Sequence, residues 1–169
     1  IKESIDQTCV YFEKLAKNKN LSFHLEYFSN TGLLNQRVVN DETRIRQILT
    51  NLLSHAVKIT IKGSIKVLVR LLQDKTDSIH MRVEVIDTGI GIDNSNLNQI
   101  FTLFHQVESS SKRRFGGTGL GLTLAKRYAE KLSGSISVES NIHSGSTFVL
   151  SLDLPVIEDP EHGTLHSSA

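Results

Sequence analysis

The chain has 169 residues, 38% of them hydrophobic, and a formal net charge of +1. That length suits one domain with a real core, and the near-neutral balance excludes a polyanion-binding role spread over the whole surface, so any basic function has to be local. Cys9 is the only cysteine, which excludes an internal disulfide and fits a reducing, cytoplasmic compartment; no apolar run reaches membrane-span length, and no signal-peptide pattern opens the chain.

In chain order, Ile5, Cys9, Phe12 and Leu15-Ala16 recur at helical spacing and predict an opening helix. Leu21, Phe23, Leu25 and Tyr27 alternate as in a strand, and a short strand at Arg37-Val38-Val39 follows. Asn40 or Asp41 then caps a strong helix with the apolar stripe Ile45, Ile48, Leu49, Leu52, Leu53, Ala56 and Val57, ending at Gly63. Ile65 to Leu71 and Met81 to Val85 alternate on either side of a turn at Asp74–Asp77, the pattern of an antiparallel hairpin. Residues 88–117 are polar and glycine-rich, apart from an apolar cluster at Ile100–Phe104. Leu120, Leu124, Ala125, Tyr128 and Leu132 predict a helix stopped at Gly134. Ile136 and Val138, then Phe148, Leu150 and Leu152, predict a final strand pair around Gly145. Residues 1–155 are expected to form one domain, with 156–169 a linker or disordered tail. Because Ile1 opens the chain in mid-pattern, the parent protein is expected to be longer, its membrane anchoring unknown. The predicted fold is a two-layer α/β sandwich, with a mixed, mostly antiparallel sheet covered on one face by helices.

Three motifs carry chemistry. On the helix after Asp41, Arg44, Asn51, His55 and Lys58 share one polar stripe at about 100° per residue, either a solvated flank or a row of side chains facing a ligand. Asp87 ends its strand in phase with Met81, Val83 and Val85, so its carboxylate should point coreward. A buried carboxylate needs a donor, from nearby backbone N–H groups or from the amino group of a ligand. Finally, Gly116-Gly117-Thr118-Gly119-Leu120-Gly121-Leu122 runs into a helix start, where bare backbone can approach a phosphate. The basic residues Lys112, Arg113 and Arg114 precede it. Neither a G-x-x-x-x-G-K-[ST] loop nor a G-x-G-x-x-G dinucleotide turn is present.

The order of these motifs closely resembles the catalytic and ATP-binding domain of histidine protein kinases of the hybrid sensor type. An Asn51-bearing helix ends Ala56-Val57-Lys58-Ile59-Thr60, and Asp87-Thr88-Gly89-Ile90-Gly91, Phe101-Thr102-Leu103-Phe104 and Gly116–Leu122 follow. The resemblance runs from about Ile1 to Pro155 and implies a Bergerat-type ATP-binding fold. It implies that Asn51 faces the phosphates and metal shell, that Lys58 approaches phosphate or ribose, and that Asp87 bonds the adenine amino group. It implies that Gly89 and Gly91 let the backbone pass close to the base, while Phe101 and Phe104 anchor one end of a lid whose Arg113 reaches the triphosphate. Gly117, Gly119 and Gly121 with Leu120 present backbone amides to phosphate, and Thr147 places a hydroxyl near the adenine aspartate. Ile92, Thr118 and Leu122 complete the implied cofactor-binding set, and ATP with Mg2+ is the implied cofactor pair.

The chain departs from this pattern at His55. The second asparagine of the motif, the implied magnesium ligand, is a histidine in Asn51-Leu52-Leu53-Ser54-His55-Ala56. Magnesium wants oxygen ligands in tight octahedral geometry, whereas imidazole suits softer metals. Losing one charge-assisted contact costs roughly 1.5–3 kcal/mol. Four outcomes are open: a pseudokinase, ATP bound with the metal held by Asn51, water and phosphates, a different metal such as manganese on His55, or a ring turned away. Ile59 also replaces a phenylalanine, a packing change. The implied reaction is transfer of the ATP γ-phosphoryl group to a histidine on a separate dimerisation domain, and no H-E-[LIF]-R-T-like segment occurs here. The implied partners are that domain and a receiver domain, with no nucleic acid, and the chain alone is expected to be monomeric. The alternative is a regulatory module acting through protein contacts.

Overall fold

The computed structural model describes residues 1–30, 32–75, 77–102 and 119–157. The opening helix α1 (Lys2–Asn18) leads into β1 (Ser22–Ser29), and a single 3-10 turn at Leu33–Asn35 precedes the long helix α2 (Glu42–Ile59). A hairpin of β2 (Ser64–Lys75) and β3 (Ser78–Asp87), the short α3 (Asn94–Leu97), α4 (Gly121–Lys131) and a closing hairpin of β4 (Ser135–Asn141) and β5 (Gly145–Pro155) complete it. No helix among the described residues is long and apolar enough to cross a membrane.

The five strands form one mixed sheet in the order β1-β2-β3-β5-β4. Only β1 and β2 run parallel; every other neighbouring pair is antiparallel. Successive strand residues face opposite sides of a sheet, and here one side is apolar. Val67 pairs with Val85 and Val85 with Phe148, all fully buried. The three longer helices cover this face. Ile48, Leu52, Leu53 and Ala56 of α2 are wholly buried, as are Ala125 and Ala129 of α4, small residues that let the two helices approach closely. The other face carries charge. Lys66 meets Glu26 at 2.9 Å, and Glu84 lies between Arg82 at 2.8 Å and Arg70 at 3.6 Å.

Helix ends follow local chemistry. Asp41, rather than Asn40, caps α2 by accepting the Arg44 N–H at 3.0 Å. The helix stops at Ile59, before Gly63, and Lys19 caps it from outside: its ammonium donates to the carbonyls of Val57 and Thr60. At the end of α4, Ser133 rather than Gly134 takes the left-handed conformation, φ 57°, and Gly134 N–H closes onto Ala129 O. The expected strand at Arg37-Val38-Val39 is a single bridge from Val38 to Val156, because its partner is the short continuation of β5. Pairing therefore runs past the expected domain end at 155, with Val156 N donating to Asp77 O and Ile157 N to Arg37 O. The expected tail from 158 lies outside the described residues.

Candidate functional site

Asp87 anchors the site. As the last residue of β3 it stays in phase with the core-facing positions and is 2% exposed. The chain turns back at once, and Gly89 N–H donates to Asp87 Oδ1 at 2.8 Å. Oδ2 is buried with no hydrogen-bond partner. Burial pushes the carboxyl up from 3.8 to about 6, against the opposing pull of the Gly89 and Ser146 backbone N–H groups. Half of the expected need for donors is thus met by backbone, and one acceptor remains over.

The loop after Asp87 is held tightly. A Cβ on Gly89 would come within 2.8 Å of Asp87 Oδ1 and 2.9 Å of Ile59 O. Gly91 has φ 73°, and a Cβ there would be 2.0 Å from Asn141 O. Both positions therefore need glycine for close backbone approach. Ser140 on β4 fastens the loop: its Oγ accepts the Ile92 N–H and bonds Gly145 O, each at 2.8 Å. His143 N–H reaches Ile90 O at 2.8 Å. Ser140, a residue the sequence reading missed, ties the Asp87 loop to the β4–β5 turn through its side chain, alongside that backbone bond.

Thr147 does not stand near the carboxylate. Asp87 pairs across the sheet with Ser146, while Thr147 pairs with Ile86 and Glu139 and so faces the opposite side. The hydroxyl on the Asp87 side belongs to Ser146, whose Oγ lies 2.9 Å from Ser140 Oγ. Counting back by twos from the buried Phe148 would have identified it.

Helix α2 forms the second wall. Asn51 is half-buried and lies against the start of α4, where a Cβ on Gly121 would meet Asn51 Oδ1 at 3.5 Å. The first turn of α4 has no side-chain cap, so its leading N–H groups remain available to an anion beside a carboxamide. Gly119, with φ 69°, and Leu120 lead into that turn, and Leu122 packs against the core. One turn beyond Asn51, the His55 ring stands edge-on to Phe148, centroids 5.4 Å apart at 75°. His55 is half-buried as a residue, but its Nε2 is sealed and has no hydrogen-bond partner. Burial, and then the charge of Lys58, hold its imidazole down to about 4, so it is neutral at pH 7. Arg44 leaves the stripe and stacks its guanidinium on the Tyr128 ring at 4.7 Å. Phe101 packs edge-on to the same Phe148, with centroids 6.3 Å apart. Phe104, Arg113, Gly117 and Thr118 lie outside the described residues.

These residues fit an adenine nucleotide: an unpartnered buried acceptor at one end, and an uncapped helix start beside Asn51 at the other. Magnesium fits them less well. Besides Asn51 the α2 face offers an imidazole, and among the described residues no group of three or more His, Cys, Asp or Glu could hold a metal. A separate cleft of about 340 Å³ lies between Phe101-Thr102 and Thr123, Lys126, Arg127 and Glu130, on the face of α4 opposite Gly121.

Residues 40–156 match the family described as histidine kinase-, DNA gyrase B- and HSP90-like ATPase. The chain is 36% identical over 94% of its length to the sensor histidine kinase GacS of Pseudomonas protegens, of which it covers 17%. It is 41% identical over 85% of its length to the aerobic respiration control sensor protein ArcB of Escherichia coli, of which it covers 18%. The chain thus spans under a fifth of the curated relatives it matches. Among solved structures, the catalytic domain of histidine kinase ThkA matches with a TM-score of 0.68 and 27% identity, covering 90% of this chain and 92% of that one. Full-length ShkA in complex with AMPPNP shares the fold, with a TM-score of 0.70 at 24% identity over 95% of this chain and 31% of that one.

Proposed function

Because the chain belongs to the histidine kinase-, DNA gyrase B- and HSP90-like ATPase family, as an ATP-binding catalytic domain of the sensor histidine kinase kind, we propose that it presents ATP to a histidine on a separate dimerisation domain of its parent. The observation that carries this is Asp87, a buried carboxylate with one oxygen bonded to Gly89 N–H and the other unpartnered. An exocyclic amino group of adenine supplies the missing donor. Asn51 and the leading amides of α4 then face the phosphates, with Lys58 and Arg113 adding positive charge. The transfer forms a P–N bond to the acceptor imidazole and breaks the bond from the γ-phosphorus to the bridging oxygen, releasing ADP. It depends on positioning and charge stabilisation more than on covalent chemistry of the protein. The proposed partners are that dimerisation domain and a receiver domain, with no nucleic acid, and the proposed compartment is the cytoplasm.

Two measurements test this. A fluorescent ATP analogue should bind the chain, and Asp87→Asn should weaken binding about tenfold or more, in line with roughly 1.5–3 kcal/mol for a hydrogen bond to a charged group. The chain mixed with ATP and a purified dimerisation domain should phosphorylate that domain's histidine in trans. His55 favours a second reading, a regulatory module that binds nucleotide weakly or not at all and acts through protein contacts. Absence of any transfer in trans would select that reading.

A further inference from the structure

Lys19 stands in the turn between α1 and β1 and is exposed. Its ammonium crosses to α2, where it donates to Val57 O and, at 3.0 Å, to Thr60 O. Carbonyls at a helix end lack partners within the helix, and a cation there also meets the negative end of the helix dipole. That much describes a cap. The placing of the two bonds adds something, because they bracket Lys58 and Ile59. Ile59 O lies so close to Gly89 that a Cβ on that glycine would come within 2.9 Å of it. Gly89 N–H in turn holds Asp87 Oδ1 at 2.8 Å. A short chain of backbone contacts therefore runs from the ammonium through residues 57–60 and Gly89 to the buried carboxylate. Neither end of it is loose. Thr60 is wholly buried, with its hydroxyl on Ala56 O at 2.7 Å. The turn that carries Lys19 is closed by Lys19 N–H and Leu21 N–H, both on Ala16 O at 2.9 Å, and Ser22 N–H ties it to Gly63 O at 3.0 Å.

We propose that Lys19 is a positioning residue for nucleotide binding: by gripping the backbone on either side of Lys58 and Ile59, it holds the end of α2 against Gly89 and keeps the Asp87 carboxylate aimed at the base. This rests on the reading of the cleft as a nucleotide site. Lys19 acts through Ile59 and Gly89 rather than by touching the nucleotide. The grip and the bound base favour the same arrangement, so each strengthens the other.

The test compares the wild type with Lys19→Met, which removes the donors and keeps an unbranched apolar stem, and with Lys19→Arg, which restores charge and donors. All are measured well below their melting temperatures. A fluorescent ATP analogue should bind Lys19→Met about fivefold or more weakly, the low end of coupling between two sites, and Lys19→Arg should recover most of the loss. Adenosine, followed by displacement of that analogue, carries no charge. It should lose affinity for Lys19→Met by a similar factor, whereas a long-range attraction of the ammonium for phosphate would spare it. The reciprocal effect needs no variant. Saturating nucleotide should slow acylation of Lys19 by an amine-reactive reagent in the wild type and leave unchanged that of Lys17, which pairs with Glu13 on α1. Equal affinities of wild type and Lys19→Met for the analogue, unchanged affinity for adenosine, or acylation of Lys19 that nucleotide does not slow overturns the proposal, while binding to the wild type leaves the nucleotide reading standing. No binding to the wild type overturns both.

Discussion

Asp87 and His55 lie in one site, and burial moves their protonation in opposite senses, which makes them separable by pH. Asp87 has a folded value of about 6, above its free value of 3.8. The folded state therefore takes up a proton first as pH falls, and stability is gained between about pH 6 and 4. His55 has a folded value of about 4, below its free value of 6.5. Here the unfolded state takes the proton first, and stability is lost over much the same window. The two offset in the wild type. Asp87→Asn should leave the histidine penalty exposed, so its melting temperature falls more steeply than wild type between pH 7 and 5; His55→Asn should fall less steeply. Thermal melts without nucleotide at three pH values decide this, and parallel profiles for all three proteins would count against both assignments. Nucleotide affinity should fall with pH as Asp87 loses its charge, even where the fold gains stability. Asp87 was readable in the sequence because strand phase alone sends its carboxylate coreward. Ser146 was legible too, by counting back from Phe148 along the alternation of β5, but the resemblance pointed to the adjacent hydroxyl of Thr147; the pairing of Asp87 with Ser146 decides between them.

At the scale of elements, the site is a loop clamped between a strand end and a hairpin, and Ser140 is the clamp. Its hydroxyl satisfies Ile92 N–H and Gly145 O at once, inside the protein. Ser140→Ala leaves both without that partner, at about 1–3 kcal/mol for a stranded buried polar group. A loss of that size in denaturant unfolding is expected, together with faster amide hydrogen exchange across Gly89–Ile92; unchanged exchange there would mean the loop is held by other contacts. The helices were legible because their apolar stripes are long, and α2 also carries its cap at Asp41. The short α3 was not, since its four residues, three of them polar, are too few to show a periodicity and only Asp93, accepting from Ser95 N–H at 2.8 Å, marks its start. Nor was the direction of β1 beside β2. Alternation specifies which face is buried, and a parallel pair buries the same face as an antiparallel one.

At the scale of the whole molecule, one sheet face is covered by helices and the other is laced with ion pairs, and the chain's two halves are joined at the sheet's far end. There the segment before α2 meets the end of β5: Val39 N donates to Pro155 O, Val38 bridges Val156, and Ile157 N reaches Arg37 O. The expected domain end at 155 followed the extent of the family resemblance, although Val156 continues the alternation of Leu150, Leu152 and Leu154 and packs against the core; the backbone pairing with a distant segment leaves no hydropathy signal. A cut after Pro155 removes the N–H groups of Val156 and Ile157, two hydrogen bonds worth about 0.5–1.5 kcal/mol each. At about 2–4 °C per kcal/mol for a domain of this size, the melting temperature should fall by roughly 2–12 °C. A cut after Ile157 keeps both bonds and should melt with the full chain. The segment from Arg37 to Val39 runs directly into Asp41 and the cap of α2, so the shorter cut should also loosen the helix that carries Asn51 and His55. Hydrogen exchange over the first turn of α2 reads that coupling, and a cut at 155 that melts with the full chain would place the domain boundary at the expected 155.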